Sequence, residues 1–159
     1  DKFIGDAVMA LFGAPVAQGD AAARALAASR AMESALAALN TELAAEGRPP
    51  LAIGVGINTA RVVAGNIGSN RRLNYSVIGD GVNVAARLQA LTRVADYRAN
   101  IILSAATRAA AGAAAADPRP LGSVTVKGRS EPVEIFAVDA AEPAGNNPPS
   151  HSETPFLSS

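Results

Sequence analysis

The sequence predicts an α+β fold, with helices packed on a largely antiparallel sheet. Three observations point to it. Short apolar stretches are punctuated by Gly5-Asp6, Gly68-Ser69-Asn70 and Gly128-Arg129-Ser130, residue types that turn a chain back on itself. A long window from Asp20 to about Glu46 places Ala25, Ala28, Met32, Leu36, Leu39 and Leu43 at three- and four-residue steps, the spacing of one helix face. The elements then follow in the order β-β-α-β-β-β-α-β-α-β-β, which mixes hairpins with helices and suits a sheet covered by helices.

Each element has a local reason. Phe3-Ile4 and Ala7 to Phe12 flank Gly5-Asp6 and read as a hairpin whose second strand ends at Gly13-Ala14-Pro15. Asp20 is expected to cap the long helix, and Gly47 to Pro50 stops it. Leu51 to Asn58 and Arg61 to Ile67 read as buried strands, and Leu73 to Ile78 as a further strand alternating with polar Asn74 and Ser76. Gly79-Asp80-Gly81 breaks that strand, and Asp80 is expected to cap a helix reaching about Thr92. Ile101 to Leu103 is a short strand, and Ser104 is expected to cap a short helix to about Ala111, before the alanine stretch Ala113 to Ala116. Ser123 to Lys127 and Val133 to Val138 read as a closing hairpin. From Ala141 the composition turns to Pro, Asn and Ser, so residues 141–159 are expected to form a disordered tail and residues 1–140 a single domain.

Composition removes several chemistries. The 159 residues are 49% hydrophobic but only 4% aromatic, and nearly half of the hydrophobic share is alanine. The core must therefore come from Val, Ile and Leu, with alanine helices approaching closely. Fourteen basic residues balance fourteen acidic ones, so no net field draws the chain to nucleic acid or to an anionic membrane. With no cysteine there is no thiolate nucleophile, disulfide or zinc-thiolate cluster. The single histidine, His151, lies in the polar tail, which argues against Ser-His triads and His-metal sites. No apolar run approaches the roughly 20 residues that span a bilayer, and the opening residues carry no signal-peptide pattern. The first residue is Asp1 rather than Met, so the chain is expected to be part of a longer product.

Four places can carry chemistry. Asp6, in a tight turn, can present a carboxylate to a hard divalent cation, or can bond nearby backbone N–H groups. Gly54-Val55-Gly56 resembles half of a dinucleotide loop, but Thr59 stands where a third glycine is needed and another apolar run follows instead of a helix. Asn83 and Arg87 are four apart on the expected second helix and leave the same face, an arrangement suited to a phosphate or ribose-phosphate as well as to a solvated surface. Lys127 stands beside Gly128 at the last turn, where a lone lysine is ordinarily a surface group.

Together the motifs Lys2-Phe3-Ile4-Gly5-Asp6, Gly65-Asn66-Ile67-Gly68-Ser69, Tyr75 through Arg87, and Val126-Lys127-Gly128 resemble class III nucleotidyl cyclase catalytic domains, in the order seen in that family and over about residues 1 to 138. The resemblance implies a ferredoxin-like, palm-type antiparallel sheet with helices packed on it. It implies that Asp6 is the second of two metal-binding aspartates, which hold two Mg²⁺ or Mn²⁺ ions on a triphosphate. Lys2 and Ser76 match the purine-reading pair, Asn83 and Arg87 the pair that positions the ribose and stabilises the transition state, and Lys127 the lysine on the terminal phosphates. The family's first metal aspartate lies upstream of Lys2, outside this chain, and glycine usually stands at the position of Ala60. If that turn needs positive φ, the alanine strains it by about 1 kcal/mol.

The resulting expectation is an adenylate cyclase catalytic domain, N-terminally truncated, that makes 3′,5′-cyclic AMP and pyrophosphate from ATP for intracellular signalling. Residues 1–159 alone are expected to be inactive, because one carboxylate cannot hold two metals. The alternatives are a catalytically inactive cyclase-like binding or dimerisation module, and a guanylate cyclase, which Lys2 disfavours. The expected partners are ATP and a second copy of the chain in a homodimer with shared sites, with no nucleic acid and no direct membrane contact. The expected location is the cytoplasm, either free or as part of a membrane-anchored protein.

Overall fold

The computed structural model describes residues 1–69, 72–126 and 131–138. It begins with the hairpin of β1 (Lys2–Ile4) and β2 (Ala7–Met9), paired Lys2 to Met9, Phe3 to Val8 and Ile4 to Ala7. Gly5 turns it at φ +62°, a conformation that a side chain would oppose. Helix α1 (Ala21–Ala45) follows, then β3 (Val55–Ile57), the hairpin β4 (Val63–Ser69) and β5 (Arg72–Ile78), and helix α2 (Asp80–Leu91). The chain closes with β6 (Ile101–Ser104), α3 (Ala105–Ala111), β7 (Arg119–Val124) and β8 (Val133–Val138), with short 3-10 turns at Ala95–Tyr97 and Gly112–Ala115.

The fold is α+β, as expected. A four-stranded sheet in the order β3-β6-β8-β7 is its centre, and among the described residues the hairpins β1-β2 and β4-β5 pair only within themselves. The β6-β8 and β7-β8 pairings are antiparallel; β3 is the exception and runs parallel to β6. Period-two alternation divides the sheet between two cores. Ile101, Leu103, Phe136 and Val138 face Ala22, Ala25 and Leu26 of α1 and Ala111 of α3. Ile102, Ile135 and Ala137 face Val84, Leu88 and Leu91 of α2. All four residues of β6 are buried, which explains why it reads as an apolar run with no alternation.

Gly54 and Gly56 bring α2 onto the sheet. A Cβ on Gly56 would overlap the Ala85 carbonyl and the Gln89 backbone, and one on Gly54 would overlap the Thr92 side chain. The Gly-x-Gly pair, which fails as a dinucleotide loop, is a close-packing device that sets the position of the helix carrying Asn83 and Arg87.

Several sequence expectations shift. The buried face of α1 runs through Ala22, Ala25, Leu26 and Ser29 and returns at Leu43, while Met32 and Leu39 are 47% and 40% exposed. Only the first turns of the helix meet β3 and α3, so an apolar stripe read along all of it overstates its contact. Asp20 occupies the N-cap position of α1 without a side-chain capping bond. Gly79, rather than Asp80, is the N-cap of α2, and Asp80 lies in its first turn, where an acid favours the helix dipole. Strand β2 ends at Met9, short of Phe12.

The expected strand from Leu51 is reduced to Val55–Ile57 because the Asn40 amide holds Leu51 in place of a neighbouring strand. Its Nδ2 donates to the Leu51 carbonyl at 2.9 Å and its Oδ1 accepts from the Leu51 N–H at 2.8 Å. Strand β7 begins at Arg119 and ends at Val124, earlier than Ser123 to Lys127. Ala60 is not strained: among the described non-glycine residues, positive φ occurs at Arg98 and Asp117. The Ala60 methyl instead occupies the space that a Cβ on Gly81 would need. The tail 141–159 and the turn around Gly128 lie outside the described residues.

The Ser104 cap stands as expected. Its Oγ accepts from the Thr107 N–H at 3.3 Å, and Thr107 Oγ1 lies 3.1 Å from it and donates to the Ile57 carbonyl at 3.2 Å. Both residues are buried, so this network locks α3 to the end of β3.

Candidate active site

The structure brings Lys2 and Ser76 together across 74 residues of sequence. Lys2 Nζ, at the start of β1, donates to Ser76 Oγ on β5 at 2.7 Å. Ser76 is 6% exposed, whereas the Lys2 side chain is 46% exposed. The result is a buried hydroxyl with a solvent-facing ammonium above it.

A third group completes the cluster. Ser76 Oγ donates to Asp1 Oδ2 at 2.9 Å, and the same oxygen lies 3.4 Å from Lys2 Nζ. The Asp1 side chain is only 3% exposed, and its backbone amine donates to the Met9 carbonyl at 2.9 Å. Sequence reasoning missed Asp1, because adjacent residues on a strand point to opposite faces. Asp1 precedes the first residue of β1 and escapes that alternation. The available signal was an acid directly before a lysine already singled out.

Asp6 is exposed in the turn between β1 and β2, four residues along the hairpin from Lys2 and so at most roughly 13 Å away along the strand. Its carboxylate suits a hard cation that keeps most of its ligands as water and phosphate oxygens. Among the described residues, no group of three or more His, Cys, Asp or Glu side chains gathers to hold a metal. Asp6 therefore offers a single carboxylate and not a cage.

Asn83 and Arg87 are exposed on α2, flanking the buried stripe of Val84 and Leu88. The start of this helix is fixed by Asn58, whose Nδ2 donates to the Gly81 carbonyl at 3.0 Å. Lys127 lies outside the described residues.

A cleft of about 570 Å³ opens elsewhere, between Asn58, Arg61, Asp80, Ser104, Glu131 and Glu134. Among the described residues, none of Lys2, Asp6, Ser76, Asn83 and Arg87 lines it. Among the described residues its lining carries three carboxylates, Asp80, Glu131 and Glu134, and one guanidinium, Arg61.

The chain belongs to the adenylate and guanylate cyclase catalytic domain family, whose model matches residues 2–140. It is 37% identical over 137 residues to adenylate cyclase 1 of Rhizobium meliloti, covering 86% of this chain and 20% of that protein. It is 37% identical over 146 residues to an adenylate cyclase of Anabaena cylindrica, covering 88% of this chain and 28% of that protein. The chain thus spans less than a third of these curated relatives. Among solved structures it resembles an adenylyl cyclase from P. aeruginosa with a TM-score of 0.76 and 36% identity, over 91% of this chain and 74% of that one. A guanylyl cyclase crystal structure matches with a TM-score of 0.74 and 39% identity, over 91% and 71% of the two chains. Likeness alone does not choose the base.

Among the described residues, no helix is long and apolar enough to cross a membrane.

Proposed function

We propose that this domain converts ATP to 3′,5′-cyclic AMP and pyrophosphate for intracellular signalling, in the cytoplasm. The observation that supports the reading is the bond from Lys2 to Ser76 at 2.7 Å, since these are the two side chains proposed to read the purine. An ammonium offers only donors, which suit the ring nitrogens of adenine, and the hydroxyl stands beside it for the exocyclic amine.

The reaction needs no nucleophilic side chain. The ribose 3′-hydroxyl attacks the α-phosphate in line and pyrophosphate leaves, so the protein contributes position and charge. Asn83 and Arg87, four apart and solvent-facing on α2, supply an amide for the ribose and a guanidinium for developing charge on the phosphate. Lys127 is proposed for the terminal phosphates. Asp6 would hold Mg²⁺ or Mn²⁺, two ions serving each site, and such ions neutralise the triphosphate. Residues 1–159 on their own are proposed to turn over ATP negligibly, because two ions need carboxylates beyond Asp6.

The site is proposed to form between two copies in a homodimer, Asp6 of one chain meeting Asn83 and Arg87 of the other. Exposed apolar side chains on both hairpins support a covering partner: Phe3 opposite Val8, at 82% and 65% exposure, and Val63 opposite Ile78, at 73% and 60%. The test is product formation by the full-length protein with ATP and Mg²⁺ or Mn²⁺. Cyclic AMP made by the wild type and lost in Asn83→Ala and Arg87→Ala supports the reading. Absence of any cyclic nucleotide product from a folded wild type would favour a binding or dimerisation module.

A further inference from the structure

We infer that Asp1 is a positioning residue for base selection: it takes the only proton of the Ser76 hydroxyl and so makes Ser76 an obligatory acceptor toward the purine. The inference rests on the proposed purine-reading role of Lys2 and Ser76 and deepens it.

A free serine hydroxyl is ambiguous. It can accept from an exocyclic amine or donate to an exocyclic oxygen, so serine beside a purine does not by itself distinguish adenine from guanine. Its neighbours remove the ambiguity here. The Lys2 ammonium has three donors and no acceptor, so at 2.7 Å Ser76 Oγ can only accept from it. An ionised carboxylate has acceptors and no donor, so at 2.9 Å Ser76 can only donate to Asp1 Oδ2. The serine has one proton and two lone pairs. The proton and one lone pair are engaged, and one lone pair remains for a ligand.

Burial holds this arrangement in place. The Asp1 side chain is 3% exposed and Ser76 6%, so water has little access with which to replace either bond. Lys2 Nζ, 3.4 Å from the same carboxylate oxygen, balances the charge that would otherwise make a sequestered carboxylate unfavourable. Lys2 keeps a further N–H for the ligand. Together the two side chains present one donor and one acceptor side by side.

Adenine carries the complementary edge, with N1 accepting from Lys2 and the 6-amine donating to Ser76. Guanine carries the reverse, a 6-oxo acceptor and an N1–H donor. It can satisfy the pair only by turning over or by presenting its N3 and 2-amine instead, and either displaces the ribose and the α-phosphate. Positional error of that kind is costly for an in-line attack.

The experiment compares kcat/KM for ATP and for GTP in the full-length protein and its variants. A ratio measured on one preparation cancels the fraction of protein that is folded. Asp1→Ala frees the serine proton for an exocyclic oxygen and should lower the ATP:GTP ratio about tenfold, the effect of unpairing one buried polar group. Asp1→Asn should keep most of the wild-type ratio, because Lys2 draws the amide oxygen toward Ser76 and the acceptor survives. In a Ser76→Ala background, Asp1→Ala should leave the ratio unchanged, since the residue acts through that hydroxyl. An unchanged ratio in Asp1→Ala would overturn the inference, as would an equal fall with Ser76 absent. Wild-type preference for GTP would instead defeat the assignment of ATP, and is read before any variant is made.

Discussion

Gly56 on β3 lies directly beneath the backbone of Gln89 on α2, with no room between them for a β-carbon. This contact sets the height of the helix above the sheet, and with it the position of Asn83 and Arg87. Gly56→Val should destabilise the domain by about 1–3 kcal/mol, the usual effect of forcing extra atoms into a packed interface. Thermal or urea unfolding of the variant checks it. The same substitution should lower turnover more than nucleotide binding at the base, because the displaced helix does not carry Lys2 or Ser76.

The cap at Ser104 gives a second test. Ser104→Ala removes an N-cap acceptor and should cost about 1 kcal/mol. Thr107→Val removes the hydroxyl that reaches the Ile57 carbonyl and should cost about 1–3 kcal/mol. The two side chains lie 3.1 Å apart, so the double variant should lose less than the sum of the singles. Urea unfolding of the four proteins in this cycle measures the coupling.

The long helix supplies a contrast between residues that look alike in sequence. Leu26 is fully buried and Met32, six positions on, is 47% exposed. Leu26→Ala should cost about 2–5 kcal/mol by opening a cavity. Met32→Gln should stay within about 0.5 kcal/mol of the wild type. A loss at Met32→Gln as large as that at Leu26→Ala would put Met32 on the buried face and contradict the packing of α1.

Assembly can be tested by complementation. Asp6→Ala and Asn83→Ala, each nearly inactive alone, should recover about a quarter of wild-type activity when mixed, since half of randomly mixed dimers pair the two variants and each such dimer has one intact site. No recovery, with subunit exchange shown by a tag pull-down, would place the whole site within one chain.

Much of this was readable in advance. Turn residues and apolar runs located β1, β5, β6 and β8 to within a residue or two, because those elements are dictated by neighbours along the chain. Ser104 was readable as a cap for the same reason. What escaped depends on distant partners. Nothing near Leu51 shows that Asn40 will take its backbone bonds, and nothing in the period of α1 shows where its neighbours end. At the candidate site, Lys2, Asp6, Ser76, Asn83 and Arg87 were singled out only because four motifs stand together in the order of a family. Asp1 was not, since its role depends on a bond across 75 residues. The Gly54-Gly56 pair was noticed for a ligand role and serves packing.

The central claim is that the Lys2-Ser76 pair reads adenine. The most direct test is kcat/KM for ATP against GTP, measured on the wild-type full-length protein with the same metal ion. The account predicts that ATP is preferred. Equal values, or a preference for GTP, would contradict it.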